Sequence, residues 1–287
     1  MWTILAWLTA LFEASKDLAA KKILANLHEY QVGWLLHFFG MLAIIPVWLL
    51  TDPSMPESTF WLALLIGGSL NIGATLLYMK ALKNSDLSVC LPMLSFTPAF
   101  LLITSPIMLG EQASIVGMLG VLLITAGSYL LNIKSRQYGW LSPIKALVTT
   151  PDARLMLGVA LIWSITSNID KMGIMASSPI TWVFSIKLFL SITLLPFALK
   201  DHKSFRPAMS SLKWYWILLP GLFSAIALIC QMTAISITQV AYVIAIKRCS
   251  TVFGSLGGLL FFKEPEGLVR LPAALIMLAG AVIITLS

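Results

Sequence analysis

The chain has 287 residues, of which 59% are hydrophobic and only 11% charged, and its mean hydropathy is +0.91. A water-soluble domain carries roughly 25% charged residues, so a soluble globule is excluded, whereas side chains that face lipid must be apolar as well. The net charge of +7 does not point to nucleic acid, because the basic residues sit in short loops or inside apolar segments rather than on one polar face.

Apolar runs bounded by polar, Gly or Pro punctuation predict ten membrane-spanning helices, five in each half of the chain. They cover residues 2–23, 32–50, 60–82, 87–109 and 115–131, then 155–174, 180–199, 214–235, 240–262 and 268–286. Each is close to the ~20 residues that cross a bilayer. The breaks have mechanisms: Asp52-Pro53 with Pro56, Asn84-Ser85-Asp86, Gly110-Glu111 and Glu264-Pro265-Glu266-Gly267 all disfavour continued helix. Trp and Tyr gather at span ends, where amphipathic rings favour the headgroup layer. Cys90, Cys230 and Cys249 fall in apolar runs and read as small core residues.

Loop charge sets an expected orientation. Thirteen Lys and Arg lie in the loops after spans one, three, five, seven and nine or, for Lys21, Lys22 and Arg270, in the span ends beside them, and none in the other loops or at the termini. Positive loops stay in the cytoplasm, so both termini are expected on the non-cytoplasmic side, in a bacterial inner membrane.

The two halves align with each other. Residues 61–133 match 214–286 at a constant offset of 153, pairing Trp61 with Trp214, Gly68 with Gly221, Phe100 with Phe253, Glu111 with Glu264 and Gly127 with Gly280. Earlier in the chain the offset is 150, pairing Lys21 with Lys171, Phe39 with Phe189 and Pro46 with Pro196. The expected organisation is a first repeat over 1–137, a loop over 138–153 and a second repeat over 154–287. Five spans per repeat invert the second repeat in the membrane, an arrangement found in secondary transporters with a site near the midplane.

The segment from Ala81 to Gly127, "ALKNSDLSVCLPMLSFTPAFLLITSPIMLGEQASIVGMLGVLLITAG", and its copy beginning "AISITQVAYVIAIKRCSTVFGSLGGLLFFKE" at Ala234 carry a resemblance. In them the chain resembles the ten-span, EamA-type members of the drug/metabolite transporter superfamily. The resemblance covers nearly the whole chain and implies an all-α fold of two inverted five-helix repeats and a transport role.

Apart from Lys21, Lys22 and Arg270 at span ends, counted with the loops, nine charged residues fall inside the expected spans: Glu13, Lys16, Asp17, Lys80, Asp170, Lys171, Lys187, Lys247 and Arg248. A charge at the bilayer centre costs ~2.5–3.5 kcal/mol on insertion scales. Lys80, Asp170 and Lys171 lie near span ends and could snorkel to the headgroups. Glu13, Lys16 and Asp17 share one face of the first span, either as a self-neutralising ion pair or as a proton or cation relay. Lys187 pairs with His37 at offset 150, so matched basic groups are expected to approach a cavity from both repeats. Adjacent Lys247 and Arg248 diverge by ~100° on a helix, so at least one must face the interior. Sugar-phosphate translocators of the same superfamily carry a Lys-Arg pair in the ninth span that binds the substrate phosphate. The segment "VIAIKRCSTVFGS" is similar, which implies an anion-binding role for Lys247 and Arg248.

Six bases against three acids within the spans call for a counter-charge, which an anionic substrate would supply. The expectation is a secondary transporter for a small or lipid-linked anion, phosphorylated or carboxylated. Its substrate would be held by Lys247, Arg248, Lys187 and His37, with Glu13, Lys16 and Asp17 in coupling. A proton or a counter-substrate would be the coupling species. An alternative is a proton-coupled exporter of amino acids or other polar metabolites. A membrane-embedded enzyme is disfavoured: there is no metal-ligand spacing, no nucleotide-binding glycine loop and no cofactor motif, and the only histidines are His28, His37 and His202. A structural subunit would leave the buried charges without a purpose.

Overall fold

The computed structural model of the chain describes residues 1–24, 27–51, 56–84, 92–132, 151–200, 213–254, 256 and 271–287. Ten helices of eight residues or more run through them: α1 (Trp2–Leu24), α2 (Glu29–Leu50), α3 (Ser58–Asn84), α4 (Thr97–Leu109) and α5 (Ile115–Asn132). The second five are α6 (Pro151–Met175), α7 (Pro179–Leu199), α8 (Trp214–Ile237), α9 (Val240–Lys247) and α10 (Leu271–Thr285). One helix falls in each expected span, and the protein is an all-α, multi-span membrane protein. Among the described residues, five segments are long and apolar enough to cross a bilayer: Tyr30–Leu50, Ser58–Tyr78, Pro92–Leu109, Pro179–Leu199 and Trp214–Ile237. Helices α1 and α6 have the length but carry the charges noted above.

Local sequence explains the helix ends. Ser178 caps α7 by accepting from the Thr181 backbone N–H at 3.2 Å, with Pro179 in the first turn, where its missing N–H costs nothing. Gly110 ends α4 in the left-handed conformation (φ 70°), its N–H donating to the Pro106 carbonyl at 3.1 Å.

The chain forms two compact units, and each draws on both sequence repeats. Unit 1 contains residues 1–72 and 170–237; unit 2 contains 73–169 and 238–287. Helix α3 therefore passes from unit 1 into unit 2, and α6 passes back.

In unit 1, α1 packs along α8, and α2 packs against α7 and α8. Ala20 and Ile23 of α1, Val32 and Leu35 of α2 and Ile217 of α8 bury together. Two glycines allow close approach, and they are repeat partners. A Cβ on Gly68 would stand 2.5 Å from ring atoms of Phe189, and one on Gly221 would stand 2.6 Å from the Phe39 Cβ. Gly68 pairs with Gly221 at offset 153 and Phe39 with Phe189 at offset 150, so one packing device appears twice.

In unit 2, α5 lies along α10 with glycine at the crossing. A Cβ on Gly127 would be 2.9 Å from the Ala273 carbonyl oxygen, and one on Gly280 would be 2.7 Å from that of Gly120. These two contacts are also related by the 153-residue offset. Small residues let backbones approach, which is how helices gain packing in lipid. A second cluster joins Ala74 of α3, Met93 and Leu94, and Met156, Val159 and Ala160 of α6.

Candidate functional site

Spans four and nine, both in unit 2, are interrupted at repeat-equivalent positions. In span four a helical turn over 92–94 gives way at Ser95 and Phe96 before α4 begins at Thr97. There the N–H groups of Ser95 and Phe96 donate three residues back, to Pro92 at 3.2 Å and Met93 at 3.3 Å. In span nine α9 ends at Lys247, and the chain resumes a helical turn over 250–254. Arg248 and Cys249 again donate three residues back, to Ala245 at 3.0 Å and Ile246 at 2.9 Å. Ser95 and Phe96 correspond to Arg248 and Cys249 at offset 153. Such tightening marks a hinge or a functional interruption.

The sequence causes the first break directly. Pro98 has no N–H, so the Leu94 carbonyl loses its helical partner; the Thr97 hydroxyl donates to that carbonyl at 2.8 Å instead. In span nine no proline is involved. The Thr251 hydroxyl donates to the Arg248 carbonyl at 2.8 Å, beside the Thr251 N–H, which donates to the same oxygen at 3.1 Å.

The two interruptions meet. Arg248 Nη2 donates to Thr97 Oγ1 at 3.0 Å, and Thr97 is only 1% exposed. Beside them Ser95 and Ser128 share a hydroxyl bond of 2.8 Å. Further along α4, Ser105 Oγ donates to Asn168 Oδ1 at 2.7 Å, and Asn168 Nδ2 donates to Thr104 Oγ1 at 3.0 Å. Arg248 is therefore held at a helix break by a hydroxyl rather than spread along an intact helix. Lys247, the last residue of α9, is half-buried.

The other candidates lie in unit 1. Lys187 of α7 is 1% exposed, and its ammonium donates to Ser224 Oγ of α8 at 2.8 Å. The side chain runs over Gly40 of α2, where a Cβ would stand 2.8 Å from Nζ and 3.0 Å from Cδ and Cε. His37 sits one turn before Gly40 on α2; among the described residues its buried Nδ1 has no hydrogen-bond partner. Lys187 and His37, expected to act together, thus share one neighbourhood, while Lys247 and Arg248 belong to unit 2.

Lys16 bridges both acids of its cluster, 2.7 Å from Glu13 Oε1 and 3.2 Å from Asp17 Oδ1. Asp170 does not snorkel: it is 8% exposed and accepts from Trp182 Nε1 at 3.0 Å. Trp182 lies over Gly173, where any Cβ would collide with its ring, and packs edge-on against Phe60 at 5.5 Å between centroids. The Lys80 side chain, Cys90, Gly257, Gly258 and Glu264 lie outside the described residues.

An open cavity of about 530 Å³ in unit 1 is walled by Trp48, Phe60, Trp61, Phe184 and Phe189, with aliphatic neighbours and the hydroxyl residues Thr181 and Ser185. None of the candidate charged residues lines it. Sequence reasoning did not single out Gly40 or Ser224, both next to Lys187. Ser224 was legible only as a hydroxyl in mid-span three residues beyond a repeat glycine; Gly40 carries no repeat signal, since its partner at offset 150 is Leu190.

Comparison with known proteins agrees with this architecture. The model of the EamA-like transporter family matches residues 1–133 and again 153–286. A protein of Archaeoglobus fulgidus described as an uncharacterized transporter is 25% identical over 213 residues, covering 73% of this chain and 69% of that one. A solved crystal structure superposes with a TM-score of 0.79 over 99% of this chain and 96% of that one, at 16% identity, a likeness of fold.

Proposed function

The chain belongs to the EamA-like transporter family, and we propose that it is a secondary transporter that moves a small or lipid-linked anionic metabolite, phosphorylated or carboxylated, by alternating access. Lys247 and Arg248 are the groups proposed to grip the anion, with Lys187 and His37 as the further substrate-binding candidates. The observation that carries this reading is Arg248 at a helix break, held to Thr97 at the matching break. Discontinuous helices in transporters bring backbone groups and side chains to a substrate at mid-membrane depth. A guanidinium there can grip a phosphate or carboxylate through two parallel hydrogen bonds, while Lys247 adds a compact charge.

The distribution of charge supports the same reading. Of the nine charges within the spans, unit 1 holds Glu13, Lys16, Asp17, Asp170, Lys171 and Lys187, three of each sign. Unit 2 holds Lys80, Lys247 and Arg248, all positive. An excess of cations in a medium of low dielectric favours binding of an anion.

A second reading, proton-coupled export of amino acids or other polar metabolites, is favoured by the Glu13–Lys16–Asp17 cluster, which puts carboxylates within a span. In it Glu13 takes up the coupling proton and Lys16 tunes it.

The test is a thermal-shift screen of the purified protein against phosphorylated, carboxylated, cationic and neutral metabolites. A ligand that binds only the native state raises apparent stability by mass action. An anion is expected to stabilise the wild type, Arg248→Lys to weaken the effect and Lys247→Ala to remove most of it. Folded Lys247→Ala and Arg248→Ala proteins that bind the best anion as tightly as wild type would end the anion reading.

A further inference from the structure

The C-terminal end of α9 presents Lys247 and Arg248, but the helix is held at its other end. Val240, Ala241 and Tyr242 are all at most 6% exposed, so the N-terminus of α9 is buried. The first N–H groups of a helix have no partner within it, and Gln239, just before α9, supplies no side-chain cap. The partner comes from far away in sequence: Glu111 Oε2 accepts from the Val240 N–H at 2.9 Å. Two neighbouring bonds join the same pieces of chain. Gln239 Nε2 donates to the Gln112 carbonyl at 2.9 Å, and the Ser114 N–H donates to the Tyr242 phenolic oxygen at 3.1 Å. Gly117, in the first turn of α5, leaves room for that phenol; any Cβ there would collide with the Tyr242 hydroxyl.

Gly110 makes the arrangement possible. Its positive φ stops α4 and turns the chain, so that the next residue can direct its carboxylate at the start of α9. A carboxylate there also meets the positive end of the helix dipole.

We propose that Glu111 is a positioning residue, which fixes α9 along its axis through loop 110–114 and so sets the depth at which Arg248 meets Thr97. The inference rests on the role proposed for Arg248 only for its functional meaning. Every residue from Val240 to Ile246 is buried, so the short helix shifts as a whole rather than bending. Arg248 is eight residues from the latch, roughly 12 Å at the helical rise, and a displacement of one end reaches the other.

The experiment uses the full-length protein in detergent, with Cys90, Cys230 and Cys249 replaced by serine and a trifluoromethyl label on Ser250→Cys, just past the break. Two readouts need no ligand: the fluorine resonance of the label, and hydrogen exchange of the peptide covering 240–246. Glu111→Ala is expected to speed exchange there about tenfold or more, the scale of a lost bond to a charged group, and to move the resonance. Glu111→Gln, whose amide oxygen can still accept, is expected to recover both in part. Tyr242→Phe is expected to shift both less than Glu111→Ala. A folded Glu111→Ala protein with wild-type exchange and resonance overturns the proposal. If Glu111→Ala does not fold, Glu111→Gln and Tyr242→Phe decide, and wild-type behaviour in both overturns it. Inorganic phosphate is added last: if it leaves the wild type unchanged while the variants shift as expected, the latch stands and the anion reading loses support.

Discussion

Replacing Gly40 by Ala separates a stability role from a functional one at Lys187. The new methyl group would stand 2.8 Å from the ammonium and 3.0 Å from the two carbons before it, so the side chain must move. Those atoms are the far end of a flexible chain, and moving them is cheap. Alanine in place of glycine within a helix is worth about 0.5–1 kcal/mol. Losing the Ser224 bond outright would cost about 1.5–3 kcal/mol, the range for a hydrogen bond to a charged group, and a lysine that swings aside can recover part of it. The net change in stability is therefore expected to lie between about −1 and +2 kcal/mol. Gly68→Ala is the control: its methyl would meet the rigid ring of Phe189 at 2.5 Å, and overpacking of that kind costs about 1–3 kcal/mol. Unfolding of both variants by increasing fractions of SDS in mixed micelles, together with uptake into proteoliposomes of the anion chosen by the thermal-shift screen, measures the two effects. The expected pattern is that Gly68→Ala loses more stability, whereas Gly40→Ala loses transport out of proportion to its stability. Wild-type transport by Gly40→Ala refutes the assignment of Lys187 to the transport path.

Thr97→Val keeps the shape of residue 97 but removes the acceptor for Arg248, and is expected to weaken anion-induced thermal stabilisation several-fold, by the loss of about 1–2 kcal/mol; an unchanged shift would detach Thr97 from the site. Trp182→Phe removes the indole N–H that donates to buried Asp170 and is expected to cost about 1–3 kcal/mol in the same SDS titration, with transport per folded molecule unchanged. Glu13→Gln leaves Lys16 with Asp17 alone and is expected to abolish pH-driven accumulation if Glu13 carries the coupling proton; accumulation at the wild-type level assigns the carboxylate a structural part. A reporter fused after Ser287 is expected to score non-cytoplasmic, and a cytoplasmic score would reverse the orientation inferred from loop charge.

Hydropathy made the helices legible because lipid imposes one simple demand on every span: eight of the ten helices match their apolar runs to within four residues at each end, while α4 and α9 are shorter than the runs that contain them. The interruptions were harder to see. In span four Pro98 gives the break a cause in the sequence, but span nine breaks at Arg248 and Cys249 with no proline nearby. Only the 153-residue offset connects the two, and it does so through backbone behaviour rather than residue identity. The pairing of His37 with Lys187 came from the same kind of offset, and the two do share a neighbourhood. What the sequence concealed was contact made by small groups. Gly40 beneath Lys187, Ser224 at its ammonium and Glu111 at the start of α9 act through positions that a linear reading cannot bring together. Asp170 shows the converse: its place near a span end left escape to the headgroups open, and a tryptophan twelve residues on provides a buried donor.

The way the compact units divide the chain bears on how the protein is made. As it leaves the ribosome, the first repeat cannot complete either unit. Thr9 on α1 donates to the Ala227 carbonyl, 218 residues later, and Gly120 and Gly127 of α5 are met by α10, the last of the described helices. Helices inserted early must therefore wait in the bilayer, with faces meant for protein turned toward lipid, until the second repeat arrives. Two separately synthesised halves would meet the same requirement, and each would be an unfinished surface until it found the other.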